Sequence, residues 1–272
     1  MSAGMKNFKL PLILAVLSGL AIYTIITPNN RLEESLFSSG EKAQEAHQWQ
    51  DAVLKFEQTL RYAPESARGL EAAKRGGAIS LFQTKDYPKA VFFYRHIVQY
   101  GQNFQETKEA QKKLAEVYYE KINNYQQAVV EYQRLLHASG DYQEQSEIKL
   151  RLARCYYYMA NFEQAIAEVD DYVKLNPNDK FDYDMLRIKA DALMAQKRVD
   201  DAIETYSEIE QKFNNREDIF QVKMNKSLAF EEKKDWDKAV GVLEAMRGHY
   251  PHDDIVDLKI KSILRRKARK KE

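Results

Sequence analysis

The chain has 272 residues, of which 44% are apolar and 31% charged, and its few glycines and prolines favour long amphipathic helices over sheets or disorder. Its 42 Lys and Arg residues balance 41 Asp and Glu residues, so no global basic bias marks a nucleic-acid binder, and nucleic acid is not expected as a partner. The single cysteine, Cys155, excludes an internal disulfide framework and a cysteine-based zinc site. We expect it to pack in the core.

An apolar run from Phe8 to Ile26 lies near the start of the chain. A helix of about 17 to 19 residues spans ~26–28 Å, which is close to the ~30 Å hydrocarbon core of a bilayer. We therefore predict a transmembrane anchor at residues 10–26. A cytoplasmic tail at 1–9 precedes it, and a juxtamembrane linker at 27–32 follows it.

The charges around this run predict its orientation. Lys6 and Lys9 precede the predicted span at 10–26, whereas charges of both signs follow it. The positive-inside rule then places the N-terminus in the cytoplasm and the rest of the chain outside it. We predict a single-pass protein of the inner (cytoplasmic) membrane with a periplasmic main domain. The alternative is a cleavable signal peptide with a site at 19–21, but cleavage there would leave an exposed apolar stub.

An internal repeat begins near Leu32. Six times a large apolar residue is followed three positions later by alanine, and these alanines are 38, 38, 37, 37 and 37 residues apart. They are Ala52, Ala90, Ala128, Ala165, Ala202 and Ala239. A period this regular is typical of a repeat architecture, and we predict the alanines as contact points of six helical hairpins.

Other residues recur at set distances from the alanines. Small residues lie twelve positions before each alanine, or thirteen before the third: Gly40, Ala78, Ala115, Ala153, Ala190 and Ser227. Short side chains at these positions let two helices approach closely. Four residues before an alanine stands a residue able to cap the second helix, at Asp86, Asn124, Asn161 and Asp235. Prolines that stop the second helix lie twelve residues after three of the alanines, at Pro64, Pro177 and Pro251.

This set of residues resembles the tetratricopeptide repeat family, whose pattern has a small residue at the eighth position, alanine at the twentieth, an aromatic at the twenty-fourth and proline at the thirty-second. The unit at 33–66 matches at four positions: Gly40, Ala52, Phe56 and Pro64. The resemblance implies an all-α, right-handed superhelical solenoid of six hairpins at 33–70, 71–107, 108–145, 146–182, 183–219 and 220–252. A weaker likeness, carried by the 37–38-residue period and the tyrosine near the final proline, is to bacterial envelope repeat proteins of the outer-membrane assembly type.

The chain ends with a predicted capping helix at 253–264 and a basic tail at 265–272. Six cations form this tail: Arg265, Arg266, Lys267, Arg269, Lys270 and Lys271. Outside the cytoplasm it can contact anionic lipid headgroups or an anionic cell-wall polymer. With the opposite topology it can act as a nucleic-acid arm, and the third interpretation is a solvated terminus.

The sequence contains no recognisable catalytic constellation. The five histidines form no pair on one helical face, no glycine-rich phosphate loop is present, and neighbouring carboxylates are consecutive, so they diverge on a helix. We therefore predict a non-enzymatic protein without a cofactor or a metal.

Binding is predicted for the first helix of each repeat, because the resemblance implies that this helix lines a concave groove. The corresponding residues here are Arg75, Ile79, Phe82, Lys112, Tyr119, Leu150, Arg154, Tyr157 and Arg187. Arginines and aromatic side chains in one stripe suit an acidic helix or an extended peptide. We predict a membrane-anchored scaffold that mediates protein–protein interactions in a cell-envelope assembly. The alternative is a periplasmic chaperone that holds newly exported chains near the translocon.

Overall fold

The structure is a computed structural model that describes residues 31–176, 179–249 and 252–269, and these residues contain helices and no strand. The predicted anchor at 10–26 and its flanks up to residue 30 lie outside the described residues, as do Pro177 and Pro251. None of the helices in the described part of the chain is both long and apolar enough to cross a bilayer. The described helices number thirteen and fall into two compact units, which divide between Ile122 and Asn123.

The first unit holds five helices. They are α1 (31–45), α2 (Trp49–Tyr62), α3 (Ala67–Phe82), α4 (Tyr87–Tyr100) and α5 (Phe104–Glu116), the last of which continues as a π-helix over Val117–Ile122. From α2 to α5, each helix packs against the next in the chain. The α1–α2 pair is joined by Phe37 and Phe56, whose ring centroids are 5.8 Å apart. The unit is thus built from local helical hairpins.

The second unit holds eight helices. They are α6 (Tyr125–Ala138), α7 (Tyr142–Tyr158), α8 (Phe162–Leu175), α9 (Asp182–Ala195), α10 (Val199–Phe213), α11 (Ile219–Glu232), α12 (Trp236–Glu244) and α13 (Asp253–Arg269). Each packs against the next, and α7 also packs against α9. The first helices of two successive hairpins therefore lie side by side, as in a stack of hairpins. The last helix continues to Arg269, beyond the predicted end at 264.

All six repeat alanines are fully buried, with an exposed fraction of 0%. The predicted caps also form at three positions, where the side chains of Asp86, Asn124 and Asp235 each accept a backbone hydrogen bond from the first turn of the following helix. Asn161 stands at the start of α8 but makes no capping hydrogen bond with its side chain. Local sequence signals therefore set the starts of α4, α6 and α12.

A second regularity lies in the turns between paired helices. Five residues before each alanine stands a residue with a positive φ, between 54° and 65°. These are His47, Lys85, Asn123, Ala160, Lys197 and Lys234. Only glycine adopts this left-handed region without steric cost, yet none of the six is glycine. Because no glycine marked these turns, sequence reasoning missed their shared geometry.

The small residue predicted for the second repeat was wrong. Ala78 is exposed, and the close approach of α3 and α4 instead occurs at Gly76 and Gly77. A Cβ added to Gly76 would lie 2.4 Å from Cζ of Phe93, which is closer than two carbons can come. Counting back twelve residues failed here because two adjacent glycines, and not one alanine, face the neighbouring helix.

The third repeat differs from the others by one residue. Thirteen positions separate Ala115 from Ala128, and the π-helix at Val117–Ile122 lies between them. Since a π-helical turn holds one residue more than an α-helical turn, the insertion is absorbed without moving Ala115 or Ala128 from their buried positions.

Cys155 lies in the core, as predicted, with 0% exposure. Burial raises the pKa of its thiol to about 12, although the charge of Arg151 acts in the opposite direction. The reactive thiolate is therefore scarcely populated at neutral pH.

Candidate protein-binding cleft

A surface cleft of about 190 Å³ lies on the first helices of the fourth and fifth repeats, α7 and α9. Residues three or four positions apart on these helices share a face, which is why they converge there. The lining residues, called the α7–α9 cleft below, are Arg154, Tyr157, Tyr158, Asp184, Arg187, Ile188 and Asp191. Three of them were predicted from the sequence: Arg154, Tyr157 and Arg187.

The two arginines of the α7–α9 cleft differ in their partners. Arg154 Nη2 lies 3.1 Å from Asp184 Oδ1, so its charge is already paired. Arg187 forms no ion pair with any residue that the structure describes, and its guanidinium carbon lies 5.6 Å from the ring centroid of Tyr183. Arg187 is therefore the cleft's open cation, with guanidinium donors that suit a carboxylate.

Asp191 closes one side of the α7–α9 cleft and is held by two donors. Its Oδ1 accepts a hydrogen bond from the Tyr206 hydroxyl at 2.7 Å and another from Asn225 Nδ2 at 3.3 Å. Burial raises the pKa of Asp191, and these hydrogen bonds and the charge of Arg187 offset that rise only in part. Burial of Tyr206 and the nearby charge of Asp191 raise the pKa of the Tyr206 hydroxyl.

Aromatic rings form the rest of the wall. Tyr158 is 53% exposed and stacks on Tyr125 with a centroid distance of 5.0 Å. Tyr157 meets Phe162 edge-on at 5.7 Å, and burial raises the pKa of its hydroxyl. The α7–α9 cleft thus combines rigid aromatic area with one unpaired guanidinium, a combination common at protein-binding hot spots.

The remaining predicted groove residues have other environments. Ile79 and Leu150 are 5% and 4% exposed, which corrects their assignment to the binding surface, because they pack in the core. Arg75 lies between two carboxylates, 3.1 Å from Glu41 and 2.9 Å from Glu71. The stripe is therefore not a run of free cations.

Three further predicted residues belong to the first unit, whereas the α7–α9 cleft is formed by helices of the second. Phe82 is 62% exposed, Lys112 is exposed and Tyr119 is half-buried. Of the predicted tail, the residues Arg265 to Arg269 belong to α13, whereas Lys270 and Lys271 lie outside the described residues.

Sequence reasoning missed the acidic and tyrosine side of the α7–α9 cleft, namely Tyr158, Asp184 and Asp191. One signal was present: adding the 37-residue period to Arg154 leads to Asp191, the equivalent position of the next repeat. Among the described residues, no three histidine, cysteine or acidic side chains are grouped to hold a metal ion.

The model of the tetratricopeptide repeat family matches residues 150–217, which run from α7 to just past α10. Among curated proteins no sequence matches the chain. Together with the stacked hairpins, the family match identifies residues 150–217 as tetratricopeptide repeats, a fold that typically serves as a non-catalytic scaffold for protein–protein contacts.

Solved structures share this fold at low sequence identity. A tetratricopeptide repeat protein from Parabacteroides merdae is 14% identical, with a TM-score of 0.51 over 87% of this chain and 88% of that one. PilW, described as a widely conserved type IV pilus biogenesis factor, is 12% identical, with a TM-score of 0.52 over 86% and 98%. A chain in the structure of Naa15/Naa10 bound to HypK-THB is 17% identical, with a TM-score of 0.57 over 85% of this chain and 39% of that one.

One electrostatic property of the α7–α9 cleft is directly measurable. We expect the stability of wild type and that of Asp191→Asn to depend differently on pH, since desolvation raises the pKa of the Asp191 carboxyl in the folded state. A raised pKa in the folded state makes the carboxyl stabilising below its ordinary pKa, and this contribution is lost as the pH rises through the folded value.

The free energy of unfolding of wild type relative to Asp191→Asn should therefore increase as the pH falls from 7 towards ~4. Urea titrations of both chains at several pH values measure it. The comparison with the variant cancels the carboxyls whose pKa values are lowered, such as Asp218 and Asp235. A difference that does not change with pH would contradict the raised pKa.

Proposed function

We propose that the protein is a membrane-anchored scaffold that docks an acidic, extended or helical segment of a partner protein in the α7–α9 cleft during assembly of a cell-envelope complex. The single observation that carries the proposal is Arg187, an unpaired guanidinium beside exposed tyrosine in a cleft of a repeat fold. A carboxylate of the partner would pair with Arg187, as Asp184 already pairs with Arg154.

The setting is proposed from the sequence. The apolar run at 10–26 anchors the chain in the inner membrane, and the repeats form a right-handed superhelical solenoid outside the cytoplasm. An anchored scaffold meets membrane partners at a raised effective concentration. The fold shared with PilW makes assembly of an envelope machine the first system in which to test this function.

In-cell photo-crosslinking tests the proposal. A photoreactive amino acid replaces Tyr158, in the α7–α9 cleft, or Tyr142, at the far end of the same helix α7, and both side chains are 53% exposed. We expect one defined crosslinked partner from position 158 and none from position 142. A diffuse ladder of exported proteins from 158 would support the chaperone alternative and contradict the scaffold.

Charge reversal then tests Arg187 itself. Arg187→Glu should weaken the crosslink at position 158 by roughly tenfold or more, since it removes a charge-assisted contact and adds repulsion. Lys174→Glu is the matched control, because this exposed lysine lies on α8 and makes no ion pair among the described residues. Reversal of Arg154 is less informative, because it would also break an ion pair within the protein, the one with Asp184.

The same cells report the topology. In spheroplasts treated with protease, the crosslinked product should disappear, because the repeats are proposed to lie outside the cytoplasm. A product that resists the protease would contradict this topology.

A further inference from the structure

The basic end of the chain has two separate faces on α13. Towards the protein, Val256, Ile260 and Ile263 are at most 4% exposed and pack against α12. Two cations follow on this side: Arg266 pairs with Glu231 of α11, and Lys267 pairs with Asp237 of α12. These two cations are therefore used to hold the helix in place.

Three other cations lie on the opposite side of α13. Lys261, Arg265 and Arg269 follow one another at intervals of four, so they form one row about 12 Å long. All three are exposed, and none forms an ion pair with a residue that the structure describes. With Leu258, Ser262 and the edge of Arg266, whose charge is paired with Glu231, they line a shallow groove of about 220 Å³. We call this surface the outer face of α13.

An exposed leucine lies within this row of cations. Leu258 is 66% exposed, and Leu264, on the flank of the same helix, is 47% exposed. Helices that lie in the plane of a membrane surface combine Lys and Arg residues, which meet anionic headgroups, with apolar side chains that enter the boundary to the acyl chains. The phosphate backbone of a nucleic acid would bind the three cations, but it has no apolar surface against which Leu258 could pack. The acidic residues Asp253 and Asp254 stand at the other end of α13, so the attraction is confined to its C-terminal half.

We propose that the outer face of α13 docks on anionic phospholipid headgroups. Lys261, Arg265 and Arg269 contact the lipid phosphates, and Leu258 enters the boundary between headgroups and acyl chains. This surface lies on a different helix from the α7–α9 cleft, and its lipid binding does not depend on the function proposed for that cleft. The second unit would then contact the membrane through α13, its last helix.

A local fluorescent probe tests this proposal in the full chain. Ser262→Cys places a thiol on the outer face of α13, and an environment-sensitive dye can be attached there, because the native Cys155 is fully buried and unreactive. The labelled chain is held in phosphatidylcholine nanodiscs, so that neutral lipid is available to its N-terminal apolar segment in every sample. Vesicles of phosphatidylcholine, with or without phosphatidylglycerol, are then added.

We expect the dye emission to shift to the blue and brighten only with vesicles that contain phosphatidylglycerol, and to return to its starting value in high salt. The variant Lys261→Gln/Arg265→Gln/Arg269→Gln should partition onto these vesicles roughly a hundredfold more weakly, since each cation near an anionic surface contributes about fivefold. Lys174→Gln/Lys212→Gln/Lys234→Gln removes the same charge from other helices and turns and should bind as the parent does.

Three results would overturn the proposal. Equal emission with neutral and anionic vesicles would show that headgroup charge is not recognised. Equal losses in both triple variants would assign the effect to net charge and not to the outer face of α13. A response to duplex DNA together with none to anionic vesicles would make this surface a nucleic-acid contact. Circular dichroism of each variant, unchanged from the parent, shows that α13 remains folded in these comparisons.

Discussion

Replacing Gly76 by alanine is expected to destabilise the first unit by about 2 kcal/mol, whereas the same change at Gly77 should be close to neutral. A methyl group at Gly76 would meet three atoms of the Phe93 ring at 2.4, 2.6 and 2.8 Å. Phe93 is fully buried, so its ring has no free space to move into. At Gly77 the shortest contact is 3.2 Å, to Cε1 of Tyr94, which a small shift relieves.

The pair controls for helix propensity. Both glycines lie inside α3, where alanine favours the helix by about 1 kcal/mol over glycine, and this gain is the same for the two variants. The difference between their free energies of unfolding in urea therefore reports the steric contact alone. Equal stabilities would show that α3 and α4 are not as closely packed as the structure has them.

Replacing Ile263 by aspartate should cost about 4 kcal/mol or detach α13, whereas Leu264→Asp should change stability by less than about 0.5 kcal/mol. Ile263 is 0% exposed and packs in a cluster with Leu243, Met246 and Val256, whereas Leu264 is 47% exposed. A carboxylate in that cluster would lie among apolar side chains, without water to solvate its charge. Undocking of the helix would expose the same apolar surface to water.

The two substitutions place the same charge on neighbouring residues of one basic helix, so their attraction to the nearby arginines is similar. Denaturant unfolding followed by the fluorescence of Trp236, which packs beside the cluster, measures the difference. Limited trypsin digestion provides a second readout, because a detached α13 offers its Lys and Arg residues to the protease. Similar midpoints and similar cleavage rates would contradict the packing of α13 against α12.

Much of the helical pattern was predictable because its signals are local. The six alanines, the caps at Asp86, Asn124 and Asp235, and the burial of Cys155 all follow from residue type and from spacings within one hairpin. The choice of Ala78 failed for the same reason, since a fixed spacing from the alanine cannot show which of several small residues faces the next helix.

The α7–α9 cleft was predicted only in part. Family positions led to Arg154, Tyr157 and Arg187, but equally to Ile79 and Leu150, which are buried. The position of a residue within the repeat predicts which helix it lies on and which side of that helix it occupies. How deeply each residue is covered depends on the neighbouring hairpin, which the position itself does not describe.

The all-α class of fold and the starts of α4, α6 and α12 could be predicted from the sequence, because helix periodicity, capping and close packing act over a few residues. Which charges lack an ion-pair partner depends instead on contacts between helices that are distant in the sequence. Arg154 is paired by Asp184, 30 residues later, and Arg266 by Glu231, 35 residues earlier, while Arg187 and Arg265 have no such partner among the described residues. Those pairings arise where separate helices meet, so composition and spacing alone could not separate binding cations from structural ones.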